Sequence, residues 1–168
     1  GPGKQSMLLS LGKGSGDGGI IKGKAKQSIA FIPLLGGLAS APPPDPNGQM
    51  TLGGTDFSIA AWIRTKKGGA IFCKSSPTGP WSKNAKALFV RNGRLTYDVG
   101  WVGDVVSRTP VADGRWRHIA MTHKSDGEVR LYVDGKEDRS GSLPASDGSE
   151  HVVRLGYCAT DFCPPYKG

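Results

Sequence analysis

Val111-Ala-Asp-Gly-Arg-Trp-Arg-His-Ile-Ala-Met-Thr-His-Lys-Ser-Asp-Gly-Glu-Val-Arg-Leu-Tyr-Val-Asp-Gly135 carries three Asp-Gly pairs at short, regular spacing. Glycine accepts positive φ and aspartate tolerates it, so each pair is a chain-reversal signal. Between the turns lie Trp116–Thr122 and Val129–Val133, short runs rich in β-branched and apolar residues. Neither run repeats at a helical period. The stretch predicts an antiparallel meander in which each strand pairs with its sequence neighbour.

The same grammar extends upstream. Ala87–Arg91, Asn92-Gly93 and Arg94–Asp98 form the strongest hairpin signal in the chain, because Asn-Gly suits a two-residue type I′ turn. On its second arm Leu95, Tyr97, Val99 and Trp101 alternate against Thr96 and Asp98. Phe57–Ile63 is apolar on both faces and predicts a strand covered on both sides, with Trp62 in the core. Gly69–Lys74 and His151–Gly156 read as further strands, and Met7–Leu9 and Ser28–Ile32 as weaker ones. Ala41–Gly48, with four prolines, is a surface loop or stiff connector, since proline cannot donate to a sheet ladder. With 26 glycines and 12 prolines in 168 residues, the fold class is an all-β antiparallel sandwich of one domain, residues 1–168. No apolar run approaches the roughly 20 residues of a membrane helix.

The net charge of +8 and pI of 9.6 suit an anionic partner. Lysine and arginine are nevertheless scattered, and no aromatic–basic RNA motif or reading helix is present, so nucleic acid is not the expected partner. The Gly-Pro-Gly start reads as processed or recombinant, so localisation is not taken from it. Three cysteines cannot all pair within one chain. Cys158 and Cys163 share a proline-rich loop and are the expected disulfide pair in an oxidising compartment, and Cys73 is expected to be a buried thiol in its strand. His118, His123 and His151 are separated by strand and loop and form no zinc motif.

Several segments carry a resemblance. Phe57-Ser-Ile-Ala-Ala-Trp-Ile-Arg-Thr65, Val111–Thr122 with its Asp-Gly-Arg-Trp-Arg-His core, Asp126–Gly135, Leu155-Gly-Tyr157 and Tyr166-Lys-Gly168 follow one another as in laminin-G-like and pentraxin-like domains. These are jelly-roll members of the concanavalin A-like lectin/glucanase superfamily. The match covers about residues 50–168 and is similar in order and spacing. It implies a secreted, periplasmic or cell-surface binding module that recognises a glycan, with calcium in many relatives. The alternative it leaves open is a structural domain that docks a protein partner and has no sugar site. In such domains a further strand follows the terminal glycine. The stop at Gly168 therefore predicts an open sheet edge there, through which an oligomer or assembly could form.

Glycoside hydrolases share this fold and need two carboxylates flanking the scissile bond. The three glutamates, Glu128, Glu137 and Glu150, lie in turn, hairpin or loop sequence, and no strand face is expected to carry a carboxylate pair. The chain therefore reads as non-catalytic. Glycan recognition combines an exposed aromatic with polar neighbours, which selects Trp81 in a polar loop and Trp101 beside Gly100 and Gly103. Asn84, Asp104 and Arg108 are their polar companions, while Trp116 is expected in the core. For calcium, Asp161 is the first candidate and Asp98 and Asp104 are alternates. Asp113, Asp126 and Asp134 are read as turn residues bonding their own backbone.

Overall fold

The computed structural model describes residues 7–12, 27–31, 52–148, 150–158 and 160–168, the first two segments by their backbone course alone. The Pro-rich stretch 41–48 lies outside the described residues. Among the described residues eleven strands form two antiparallel sheets: β1 (Met7–Gly12), β2 (Gln27–Phe31), β3 (Phe57–Ile63), β4 (Gly69–Ser75), β5 (Lys86–Arg91), β6 (Arg94–Val99), β7 (Gly103–Pro110), β8 (Arg117–His123), β9 (Glu128–Val133), β10 (Lys136–Ser142) and β11 (Val152–Leu155). The six-stranded sheet runs β10-β9-β8-β3-β1-β2 and the five-stranded sheet β11-β4-β5-β6-β7. No described residue is helical.

The turn signals act as read at two places. Asn92 and Gly93 take φ of 52° and 78°, and Asp134 and Gly135 take 50° and 80°, the doubly positive pattern of type I′ hairpins. Asp113 is different. It stands between β7 and β8, which belong to different sheets, so this Asp-Gly carries the chain across the sandwich rather than around a hairpin. Its carboxylate joins that of Asp134 in clamping Arg117 at 2.6 Å each. Asp113, Asp126 and Asp134 also each accept a backbone N–H, from Arg115, Glu128 and His118.

Between the sheets lies one apolar core, built by strict alternation: Ile59, Ala61 and Ile63 from β3, Ile119 and Met121 from β8, Val129, Leu131 and Val133 from β9, and Leu88, Val90, Leu95, Tyr97 and Val99 from the β5–β6 hairpin. Two expectations fail here. The outward side of β3 is not covered, and Trp62 at its outward phase is 48% exposed, packing edge-on against its register partner His118 at 5.2 Å. Trp116 precedes β8 rather than entering it and is 43% exposed. Trp62 lies outside the core because alternation puts only every second residue of a one-sided strand inside, and Trp116 because it falls in the connection before β8.

A second, smaller cluster lies on the opposite face of the five-stranded sheet. Ala70, Cys73, Ala87 and Phe89 form its floor, and Cys158, Cys163, Phe162 and Trp81 cover it. The C-terminal segment is held to the start of β4 by the 2.9 Å bond from Ala70 N to Pro164 O and by bridges to Lys167 and Pro165.

Candidate functional site

The outer face of the five-stranded sheet is assembled by register. Ala87 of β5 stands opposite Cys73 on one side and Asp98 on the other, and Asp98 stands opposite Asp104 of the edge strand β7. One step along, Thr96 faces Val106. The C-terminal loop covers the β4–β5 half of this face, which leaves the exposed β7 residues Asp104, Val106 and Arg108 along the other half.

Trp101 dominates the open end of this half. It does not continue the alternation of β6, as the sequence reading has it. β6 ends at Val99, and Trp101 sits in the following turn at φ 65° with 81% of its surface exposed. A bulky residue rarely occupies this left-handed region, so the turn must be held from outside. Gly100 N donates to Ala85 O at 2.7 Å, Asn84 N donates to Gly100 O at 2.9 Å, and Val102 N closes the turn on Val99 O at 2.9 Å. A Cβ at Gly100 would meet Ser82 O at 2.0 Å, so glycine is what lets the 82–85 loop dock on this turn.

Trp81 is not the second platform. Its ring stacks on Phe162 with centroids 4.0 Å apart and 7° between planes, and Nε1 donates to Asp98 Oδ1 at 3.1 Å. Phe162 in turn meets Phe89 edge-on, and the Arg91 guanidinium lies over both phenylalanine rings. Trp81 therefore pins its loop to the sheet. Asn84, at φ 61°, is likewise structural: Nδ2 donates to Ser146 Oγ at 2.7 Å and ties two loops together. Of the five residues picked for ligand contact, Trp101, Asp104 and Arg108 are exposed on the open half, with Arg108 farther along β7.

Asp98 of β6 and Asp104 of β7 are directly opposed on neighbouring strands with both side chains outward, a cross-strand carboxylate pair that a search along single strands does not find. Burial pushes the Asp98 carboxyl up to about 6; the Trp81 indole works against that and the Asp104 charge adds to it. Its folded pKa thus exceeds its unfolded one, and the stability this contributes is complete below about pH 4 and lost as pH rises to about 6. His123 acts in the opposite sense. Burial, then the Lys86 charge, lowers it to about 4, so stability is lost as pH falls from about 6.5 to 4. The two offset each other in the wild-type chain. Asp98→Asn is expected to unmask the histidine, making stability climb between pH 4 and 6.5 more steeply than wild type by about 1–2 kcal/mol after solvent screening is discounted. Urea unfolding at several pH values checks this, and parallel wild-type and variant curves would refute it.

A charged cluster that the sequence reading missed closes one end of the sandwich. Lys86 Nζ, wholly buried, donates to Asp147 Oδ1 at 2.8 Å, Ser146 O at 2.7 Å and Asn84 O at 3.1 Å. Lys74 Nζ lies 2.8 Å from Asp147 Oδ2, which also accepts from Leu52 N and Gly53 N. Beside them Tyr97 OH meets His123 Nδ1 at 3.0 Å. Burial pushes the Asp147 carboxyl up, but hydrogen bonds from Lys74, Lys86 and Gly53 outweigh it and hold the group well below the usual carboxylate range. One signal was present in the sequence: Lys86 has the same phase as Leu88 and Val90, and so had to point inward.

Asp161 is exposed on the C-terminal loop, and among the described residues no three His, Cys, Asp or Glu side chains converge as a metal site. Cys158 and Cys163 come together as thiols in contact, and Cys73, buried as expected, lies against Cys158 as well.

The laminin-G family model described as the concanavalin A-like lectin/glucanases superfamily matches residues 39–164. The chain belongs to this laminin-G-like family. Among solved structures it is similar to domains LG4-5 of the mouse laminin alpha1 chain, at 21% identity and a TM-score of 0.55. The match covers 93% of this chain and 35% of that one, and at this identity the likeness concerns the fold. No curated protein sequence matches the chain. Laminin-G-like domains are binding modules of extracellular proteins and are generally non-catalytic. Among the described residues of this laminin-G-like domain, no helix is long and apolar enough to cross a membrane.

Proposed function

We propose that this laminin-G-like domain is a non-catalytic extracellular module that recognises a glycan on the open half of its five-stranded sheet. Trp101 is the stacking platform, and Asp104 and Arg108 bond the sugar hydroxyls. The observation that carries the reading is Trp101 itself, 81% exposed and held at φ 65° by a docked neighbouring loop. An indole presented to water in a conformation that costs free energy is what a ligand-facing aromatic requires. Calcium assistance enters the proposal at Asp98 and Asp104 rather than Asp161, because two opposed carboxylates supply the oxygens a hard cation takes.

A second reading has its own support. Val102, next to Trp101 in the turn, and Val106, on the edge strand β7, are exposed at 39% and 37%, and exposed apolar residues at a sheet edge suit a protein partner or an assembly.

A glycan array probed with the wild-type chain and with Trp101→Ala, each with calcium and with chelator, separates these readings. Glycan binding is expected to fall at least about tenfold in the variant, a loss of about 1.4 kcal/mol or more, with unchanged unfolding midpoint. Chelator is expected to weaken the wild-type signal. No glycan signal, together with an oligomer that Trp101→Ala dissolves, would favour docking. Release of new reducing ends from a bound glycan would overturn the non-catalytic assignment.

A further inference from the structure

Three cysteines gather beneath the C-terminal loop on the outer face of the five-stranded sheet. Cys73 projects from β4, Cys158 follows β11, and Cys163 sits in the loop that returns across β4. All three are buried. Cys158 is the shared neighbour, in hydrogen-bonding contact with both Cys163 and Cys73. The outer two thiols have further polar partners: Cys73 Sγ lies 3.5 Å from Ser75 Oγ, and Cys163 Sγ lies 3.6 Å from Pro164 O. The rest of the pocket is apolar, with Ala70, Ala87 and Phe89 below and Trp81 and Phe162 above.

We propose that Cys73, Cys158 and Cys163 form a thiol–disulfide exchange site in which Cys158 bonds alternately to Cys163 and to Cys73. An odd number of thiols in contact cannot be closed by one disulfide, and the thiol left over lies within reach of the bond. A low-molecular-weight disulfide starts the sequence. The Cys163 thiolate attacks one of its sulfurs and expels one thiolate, giving a mixed disulfide. The Cys158 thiolate then attacks Cys163 Sγ, expels the second thiolate and closes the Cys158–Cys163 bond. Overall, two protein thiols are oxidised and one external disulfide is reduced to two thiols. In the exchange step the Cys73 thiolate attacks Cys158 Sγ and Cys163 leaves as thiolate, taking up the proton that Cys73 gave up, with no net oxidation. The contact with Cys158 and the nearby Arg91 charge, working against burial, leave Cys163 below the usual thiol range, as suits the first attacking group and the later leaving group.

The two bonds hold the loop differently. Cys158–Cys163 closes a small ring within the loop. Cys73–Cys158 staples the loop to β4, beneath the Trp81–Phe162 stack that carries the indole bond to Asp98. The exchange therefore connects the redox state of the surroundings to the wall of the proposed binding face.

Tryptic peptides distinguish the two bonds. Cleavage after Lys67, Lys74, Arg154 and Lys167 places Cys73 in Gly68–Lys74 and both other cysteines in Leu155–Lys167. The experiment exposes the reduced native chain to glutathione disulfide, quenches with acid and an alkylating agent, digests and weighs the peptides. Wild type is expected to give first a Leu155–Lys167 peptide lighter by two hydrogens, then a cross-linked pair with Gly68–Lys74. Cys163→Ser should give only the pair, and more slowly because Cys158 or Cys73 must then make the first attack, and Cys73→Ser only the internal ring. A wild-type digest that never contains the pair, read without any variant, would overturn the proposal. So would a Cys158→Ser chain that joins Cys73 to Cys163 as fast as wild type forms its bonds.

Discussion

Asp147→Ala is expected to destabilise the domain by about 3–5 kcal/mol, the range for breaking a buried ion pair by removing one partner. The carboxylate serves two ammonium groups whose side chains are 0% and 7% exposed, together with the Leu52 and Gly53 N–H groups. Removing it leaves like charges facing each other across the Lys74–Lys86 register pair with no anion between them. Chemical denaturation should show the loss in full, and adding Lys86→Met to the same chain should recover part of it, because one buried charge is then gone. A loss below about 1 kcal/mol would place the cluster with ordinary surface ion pairs. Because the folded pKa of Asp147 is depressed, its contribution is present above about pH 4 and lost as pH falls further.

Gly69→Ala is expected to have the second-largest effect, about 2–4 kcal/mol, from a strained backbone and an overlap together. Gly69 opens β4 at φ 111°, and a Cβ there would lie 2.2 Å from Pro165 O and 2.7 Å from Tyr166 Cα. Both are backbone atoms, so the C-terminal segment itself would have to move, loosening the Ala70–Pro164 bond and the lid over the three cysteines. Gly79→Ala is the control: its φ is 85°, but nothing lies within 4 Å of the added carbon, so only the backbone part remains. Equal midpoint shifts for the two variants would show that the segment yields freely.

The strands with clear alternation were legible from residues alone. β3 begins and ends where Phe57–Ile63 begins and ends, and the Asn92-Gly93 and Asp134-Gly135 hairpins turn as their chemistry requires. Two strands were missed for physical reasons. β10 reads Lys-Glu-Asp-Arg-Ser-Gly-Ser and is an edge strand with an almost wholly exposed side-chain set, so it carries no apolar period to detect. β7 is also an edge strand, with only Val105 and Ser107 buried, and Gly103 and Pro110 at its ends resemble turn residues.

Trp101, Asp104 and Asp98 show where sequence stops deciding. Each was a candidate for ligand or metal contact on residue type, but so were Trp81, Asn84 and Asp161. Local pattern determined which residues form strands, where the chain reverses, and therefore the family of fold, because those depend on neighbours one to four positions away. Which tryptophan pins a loop and which faces water was decided by register and by what lands on each face: the C-terminal loop covers Trp81 through Phe162 and leaves Trp101 open. Asp98 meets Asp104, Cys73 meets Cys158, and Lys86 meets Asp147, each across distances in sequence that no periodicity encodes. Those meetings depend on the packing of two sheets and a returning loop, where the free energy of burial is shared among residues far apart in the chain.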